Sequence, residues 1–195
     1  MVSPQATPGS QQTIPEKCRD NAIHTFGTSI IFQRRARRIK LKLQLQTYFG
    51  ILLPLITGGI VLSFGTTGAF LPLLISAFGV LGLPLLAISL WSLVAGWSDQ
   101  LTAATDSVSA NEILVKRYSD LADSGMSATK VKIEFDLIQL DDHNRKQLDL
   151  KQHVSEKEMR FGLRAGLRQF QRKCGTCQLV PTSLKPTSCG VCGDF

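Results

Sequence analysis

Charge is absent from the middle of this chain. From Leu43 to Ser98 there are 56 consecutive residues without Asp, Glu, Lys, Arg or His. A soluble domain distributes its apolar residues over many amphipathic elements, so one uninterrupted apolar block points to lipid as the solvent. The same lack argues against a pump or charge-coupled carrier, which usually keeps an ionisable group at membrane depth. A phosphate-cradling glycine loop, a nucleophile–base pair and an open metal site are also missing, so no enzyme is expected. The block starts too far into the chain, and is too long, for an ordinary secretory signal peptide.

A single straight helix of that length would measure about 84 Å at 1.5 Å per residue, against a hydrocarbon core of ~30 Å. The block must therefore fold back, and Gly65-Thr66-Thr67-Gly68, between Ser63 and Pro72, is the expected turn. The spans then fall near 48–64 and 70–97. Pro54 and Pro84 remove helix hydrogen bonds and predict a kink in each span. Gly59 with Ser63, and Ser92 with Gly96, have the small-xxx-small spacing that lets helices approach closely. The competing reading is a soluble hairpin wholly buried in its own protein.

The surplus of positive charge is unevenly placed. Residues 1–42 hold eight Lys/Arg against two acids, while residues 99–195 hold fourteen against thirteen. Arg34, Arg35, Arg37, Arg38, Lys40 and Lys42 lead directly into the first span, and the turn is uncharged. The positive-inside rule then puts both termini in the cytoplasm, with Tyr48, Trp91 and Trp97 as a one-sided interfacial belt. The expected partner of these arginines is the anionic surface of the bilayer, with nucleic acid as the alternative.

Around the block the chain reads as helix and tail. Residues 1–25, rich in Pro, Gln, Ser and Thr, are expected to be a disordered tail, leaving Cys18 a bystander thiol and His24 without a ligand partner. Residues 26–47 are a basic juxtamembrane helix. In the cytoplasmic helical region, 98–153, Leu101, Ala104, Val108, Asn111, Val115, Tyr118 and Ala122 form a heptad-like stripe. Either residues 128–150 or a second copy would cover it, and packing within the chain is the simpler expectation. Ser124-Gly125 ends that helix. Residues 131–138 fit strand or helix periodicity; with no hairpin partner in sight, helix is favoured, and His143 and His153 are expected at the surface. The basic helix, 154–173, opens at Ser155 as N-cap. Its Arg160, Arg164, Arg168 and Arg172 recur every four residues and suit phosphates or lipid headgroups, unless they form a solvated face with Glu156 paired to Arg160.

Residues 174–195 carry the most specific local signal. Cys174-Gly175-Thr176-Cys177 and Cys189-Gly190-Val191-Cys192 are separated by eleven residues. Each CxxC turn points two thiolates to one side, and two turns complete a tetrahedral four-thiolate site. The expected cofactor is structural Zn²⁺, with iron–sulfur or dithiol redox chemistry as alternatives. Four cysteines leave no open coordination position, and a segment this short depends on the metal for its stability. Four thiolates around Zn²⁺ carry two negative charges, which Arg172, Lys173 and Lys185 are near enough in sequence to offset. Reduced thiols agree with a cytoplasmic location.

The cysteine pattern, preceded by FGLRAGLRQFQRK and followed by GDF, resembles a bacterial family encoded on mobile and integrative elements and named for this arrangement. Phe32 to about Ser124 is similar in architecture to SLATT membrane domains: a basic lead-in, two spans and a long trailing helix. That likeness implies a pore-forming or membrane-perturbing effector of a conflict or defence system, triggered through a separate sensor protein. The combined expectation is an all-α protein of the bacterial inner membrane. It has a two-helix transmembrane hairpin, cytoplasmic helices and a zinc-ribbon-like module, and it works as a homo-oligomer. The alternative is a membrane-tethered zinc module that holds nucleic acid or a protein, with the hairpin only an anchor.

Overall fold

The computed structural model describes residues 13–64 and 71–195. Every regular element among them is an α-helix: α1 (Ile14–Phe64), α2 (Leu71–Val94), α3 (Trp97–Ala122), α4 (Ala128–Leu150) and α5 (Glu156–Gln169). Residues 131–138 are therefore helical, and the expected Gly65–Gly68 turn lies outside the described residues. The chain divides into two compact units. One combines the described part of Met1–Gln33 with Asp106–Phe195; the other is Arg34–Thr105.

Order begins much earlier than the sequence suggested. Residues 14–25 are helix, not disordered tail, and they run without a break into the basic segment. The signal was present in Thr13-Ile14-Pro15-Glu16. The Thr13 N–H donates to Glu16 Oε2 at 2.9 Å, and that bond holds the Glu16 carboxyl below its usual pKa. Pro15 sits in the first turn, where a missing N–H costs nothing. The reason for order is burial: Cys18, Ala22, Ile23 and Thr25 are all buried. Cys18 is thus a core residue, and burial pushes its thiol up.

In the first unit, Cys18 and Ala22 of α1 pack with Leu114, Tyr118, Leu121 and Ala122 of α3 and Val131, Phe135 and Ile138 of α4. The heptad-like stripe is therefore covered within the chain over its later half, as expected, but by α1 as well as α4. Its polar position has a partner. Asn111 Nδ2 donates to Asp149 Oδ2 at 2.9 Å, and Ser107 Oγ donates to Oδ1 at 2.7 Å. Arg145 Nη2 adds a donor at 2.6 Å, so the buried carboxylate is fully paired. A second buried carboxylate, Asp142, accepts from Tyr118 Oη at 3.1 Å and Lys146 Nζ at 2.7 Å. His143 and His153 are exposed, as the sequence predicted.

α5 docks on α1 through glycine. A Cβ on Gly27 would stand 2.6 Å from the Gly162 carbonyl oxygen, and one on Gly162 would stand 2.7 Å from the Gly27 oxygen. A Cβ on Gly166 would collide with the Ile23 carbonyl. Gly162 and Gly166 are four apart, so both lie on one helix face and bring two backbones into contact. The sequence predicts close approach of this kind in the apolar block, at Gly59 with Ser63 and Ser92 with Gly96; a Cβ on Gly58, Gly59, Gly79 or Gly82 would meet nothing within 4 Å among the described residues, whereas Ser92 is buried.

In the second unit α2 does not run through to Trp97. Gly96, at φ 61°, ends it, with its N–H on the Leu93 carbonyl at 3.1 Å; only glycine takes this backbone without strain. Pro54 and Pro84 both lie inside helices. Lys42 Nζ stands 5.2 Å from the centre of the Trp97 ring. Two helices among the described residues are long and apolar enough to cross a membrane, and none of the apolar window of the first is buried. Leu62 is 89% and Leu93 81% exposed. The reading as a hairpin buried in its own protein is overturned by that exposure.

Two substitutions test this packing. Asp149→Ala removes the buried carboxylate that Arg145, Ser107 and Asn111 share and leaves the Arg145 guanidinium without this ion pair; it is expected to cost about 3–5 kcal/mol, read as a lower unfolding midpoint of the detergent-solubilised chain. Gly166→Ala forces overpacking of about 1–3 kcal/mol against backbone that cannot swing aside, more than the helix-propensity gain of up to ~1 kcal/mol. Its Tm should fall; a rise would mean that the glycine seam is not formed.

Candidate metal centre

The chain reverses sharply after α5. Gln171 takes φ 50°, and the Arg172 N–H bonds back to the Leu167 carbonyl at 2.9 Å. This turns Cys174 inward against Ile23 and Leu167. α5 itself is fixed at its start by Ser155. The Ser155 Oγ accepts from the Glu158 N–H, and the Glu158 carboxylate accepts from the Ser155 N–H, the reciprocal cap that the sequence foretold in part.

Two similar knuckles follow. In the first, the Gln178 N–H donates to the Cys174 carbonyl at 2.9 Å; in the second, the Gly193 N–H donates to the Cys189 carbonyl at 2.8 Å. Each closes a loop of the same length around its CxxC pair. The fifth position is Gln178 at φ 58° in one knuckle and Gly193 in the other. Gly193 is required by close approach, since a Cβ there would run into Thr187.

The four sulfurs converge. All lie within 4.8 Å of one another, and Cys177 Sγ is 3.8 Å from Cys192 Sγ. All four thiols are free. A tetrahedral ion with metal–sulfur bonds of about 2.3 Å needs sulfur–sulfur edges of about 3.8 Å, so the cluster has the dimensions of a four-thiolate metal site. Among the described residues, no other group of three or more His, Cys, Asp or Glu side chains converges in this way. His24 lines a groove beside Cys174, Arg172 and Lys173 without joining the sulfurs.

The local electrostatics favour loading. Backbone N–H groups of Cys192 and Val191 aimed at Cys189 hold its thiol down to about 6, while burial pushes the Cys192 thiol up. One thiolate thus forms readily, and the buried one requires a cation to lose its proton.

The chain belongs to the mobilome CxxCx(11)CxxC family. The family model matches residues 15–195, so membership covers all five helices as well as the cysteines that give the family its name. No curated protein and no solved structure matches the chain.

The arginines that the sequence grouped together separate in this family member. Arg160 pairs with Glu156 at 3.5 Å and with Asp194 at 2.8 Å, beside an edge-to-face contact of Phe161 with Phe195. Arg164 is buried; its Nε donates to the Ser183 carbonyl at 2.7 Å and its Nη1 to Thr187 Oγ1 and the Cys192 carbonyl, both at 3.3 Å. Arg168 and Arg172 are exposed. The four-residue spacing therefore does not make one anion-binding stripe: Arg160 and Arg164 are occupied in tying the cysteine loops to α5. The reason is geometric, because successive fourth residues drift around a 3.6-residue helix and face different neighbours. Arg34, Arg35, Arg37 and Arg38 lie on α1, in the other unit. Sequence reasoning missed Gly27, Gly162 and Gly166; the GLRAG spacing was the available clue.

Metal removal should be decisive. A metal bound by four thiolates in a small module supplies about 10–16 kcal/mol near neutral pH, far more than two loops can gain from their own packing. A strong chelator, or Cys174→Ser with Cys177→Ser, should therefore open residues 172–195 to protease, while the α1–α3–α4 core keeps its helical circular dichroism.

Proposed function

We propose that the chain is a two-span protein of the bacterial inner membrane that assembles through its spans into a pore-forming or membrane-perturbing effector. Its cytoplasmic head is stapled by structural Zn²⁺. The observation that carries this reading is the uncovered apolar surface of α1 and α2, glycines included. Each large apolar side chain left in water forgoes about 1.5–3 kcal/mol of burial, so these helices need lipid or other copies around them. Close helix approach in lipid uses small residues, and a Cβ added to Gly58, Gly59, Gly79 or Gly82 would meet nothing within 4 Å among the described residues.

A hairpin is supported by Lys42 over Trp97, which puts the start of the first apolar stretch beside the end of the second. Such a hairpin returns the chain to the side it left. The basic lead-in marks that side as cytoplasmic, and the free thiols agree. Zinc is the metal proposed because two CxxC pairs with four converging sulfurs and no open position are the common form of a structural zinc site; a single iron would fit the same four thiolates. The reaction-free interior of the spans and the closed thiolate site support a non-enzymatic role. Two helices cannot enclose an aqueous path, so a pore requires several copies, and triggering falls to a separate sensor partner.

A second reading keeps the hairpin as a mere anchor, with the head holding nucleic acid or a protein. It draws on Arg172 and Lys173, which border the groove beside Cys174. Its nucleic-acid form is weakened by the occupation of Arg160 and Arg164.

Induced expression in bacteria carrying a membrane-potential dye separates the two. The effector reading expects depolarisation and arrested growth, both reduced by Gly59→Leu with Gly82→Leu at equal protein level. Normal potential and growth, with and without the neighbouring genes of the element, would overturn it. Salt-independent binding of nucleic acid, or none, by the full chain would remove the nucleic-acid form of the anchor reading.

A further inference from the structure

Four thiolates around a divalent ion leave a net charge of −2, and burying such charge without a counter-ion is costly. Sequence proximity pointed to Arg172, Lys173 and Lys185 for this task, yet all three side chains are exposed. The buried cation is Arg164, at 6% exposure. Its Nη1 stands 4.0 Å from Cys192 Sγ, beside the most deeply placed end of the second knuckle.

Resting on the metal reading above, we infer that Arg164 is the positioning and charge-balancing residue of the thiolate site, and that it couples metal loading to the docking of α5. The guanidinium has three kinds of acceptor at once: the Ser183 carbonyl before the second knuckle, Thr187 Oγ1 at its approach, and the Cys192 carbonyl and sulfur within it. One planar group with five donors can serve all of these, whereas an ammonium on a flexible stem keeps the charge and loses part of the fork.

Its place on α5 gives the coupling. Gly162 and Gly166 face α1, and Arg164, two residues from each, projects from the opposite side. α5 is thereby held between a glycine seam and the cysteine loops. The Cys192 sulfur that Arg164 approaches belongs to the same apolar cluster as Ile23 and Leu167, which lie along the α1–α5 contact. Drawing the thiolates around a cation therefore draws Arg164, and α5 with it, into place.

Iron substitution reads the charge directly. A four-thiolate site carries −1 with Fe(III) and −2 with Fe(II), so a buried positive neighbour stabilises the reduced form and raises the potential. The purified full-length chain, loaded with Fe(II) in place of zinc, is oxidised and titrated electrochemically, and zinc affinity is measured by competition with a chelator. Arg164→Met should give a more negative potential and zinc affinity weaker by about 10–100-fold. Arg164→Lys should keep a potential close to the unsubstituted chain while its zinc affinity falls part of the way. A merely structural arginine would leave the potential of Arg164→Met unmoved, and that result overturns the inference. Should the Met variant fail to accumulate folded, Arg164→Gln, which keeps hydrogen-bond donors and drops the charge, decides in its place: a more negative potential supports charge balance, and an unmoved potential overturns it. An unsubstituted chain that takes up neither iron nor zinc would overturn the metal reading itself, and this inference with it.

Discussion

The apolar parts of α1 and α2 leave most of their large side chains exposed, and that exposed surface is the constraint the rest of the molecule has to meet. Leu62, Leu83 and Leu93 lie bare on these two helices, and exposed apolar surface of this extent asks for cover by lipid or by other copies of the chain. The chain does not bury them in its own core, which is already filled by α3, α4 and the first turns of α1. Family membership with mobile elements says where such a protein is encoded; the two helices are long and apolar enough to cross a membrane.

The head solves a different problem. Its core is small, and much of its polar content is carried inward: Asp142, Asp149, Asn111 and Arg164 are all buried. Buried ionic groups contribute little net stability and mainly specify one arrangement. Two devices supply what the core does not. Glycine contact between α1 and α5 brings backbones together, and the cysteine loops pack on Ile23 of α1 and Leu167 of α5 while accepting hydrogen bonds from Arg164. α1 therefore enters both units, giving Cys18, Ala22 and Gly27 to the head before it becomes the first apolar stretch.

Much of this was legible in the sequence, and the failures share a cause. The uncharged block, the four cysteines, the Ser155 cap and the Tyr118–Asn111 stripe are periodic or spaced signals that need no knowledge of tertiary contacts, and each maps onto a helix or a cluster. Residues 14–25 were misread because their composition is polar, although Thr13 and Glu16 spell a helix start; only their burial against α3 and α4 explains their order. The arginine series failed for a related reason. Spacing of four describes a helix face, but whether that face meets water, lipid or a folded loop depends on the chain that comes afterwards, here Ser183–Asp194. The break at Gly96 was available as well, since a lone glycine after a long apolar run is a frequent C-terminal signal, yet continuous apolarity up to Trp97 masked it.

Why the cysteines sit on α5 rather than on a free-standing finger follows from the charges. A detached tetrathiolate module can offset its −2 only with exposed side chains, which water and salt screen. Anchored on α5, the same cluster has a guanidinium delivered from a helix that is itself fixed by backbone contact to α1, so the cation's position costs little additional order. The reverse also holds: without the thiolates Arg164 would be a buried charge between α5 and the cysteine loops, met only by the neutral oxygens of Ser183, Thr187 and Cys192. Each group makes the other tolerable, and both depend on the glycine seam that keeps α5 where Arg164 can reach the sulfur.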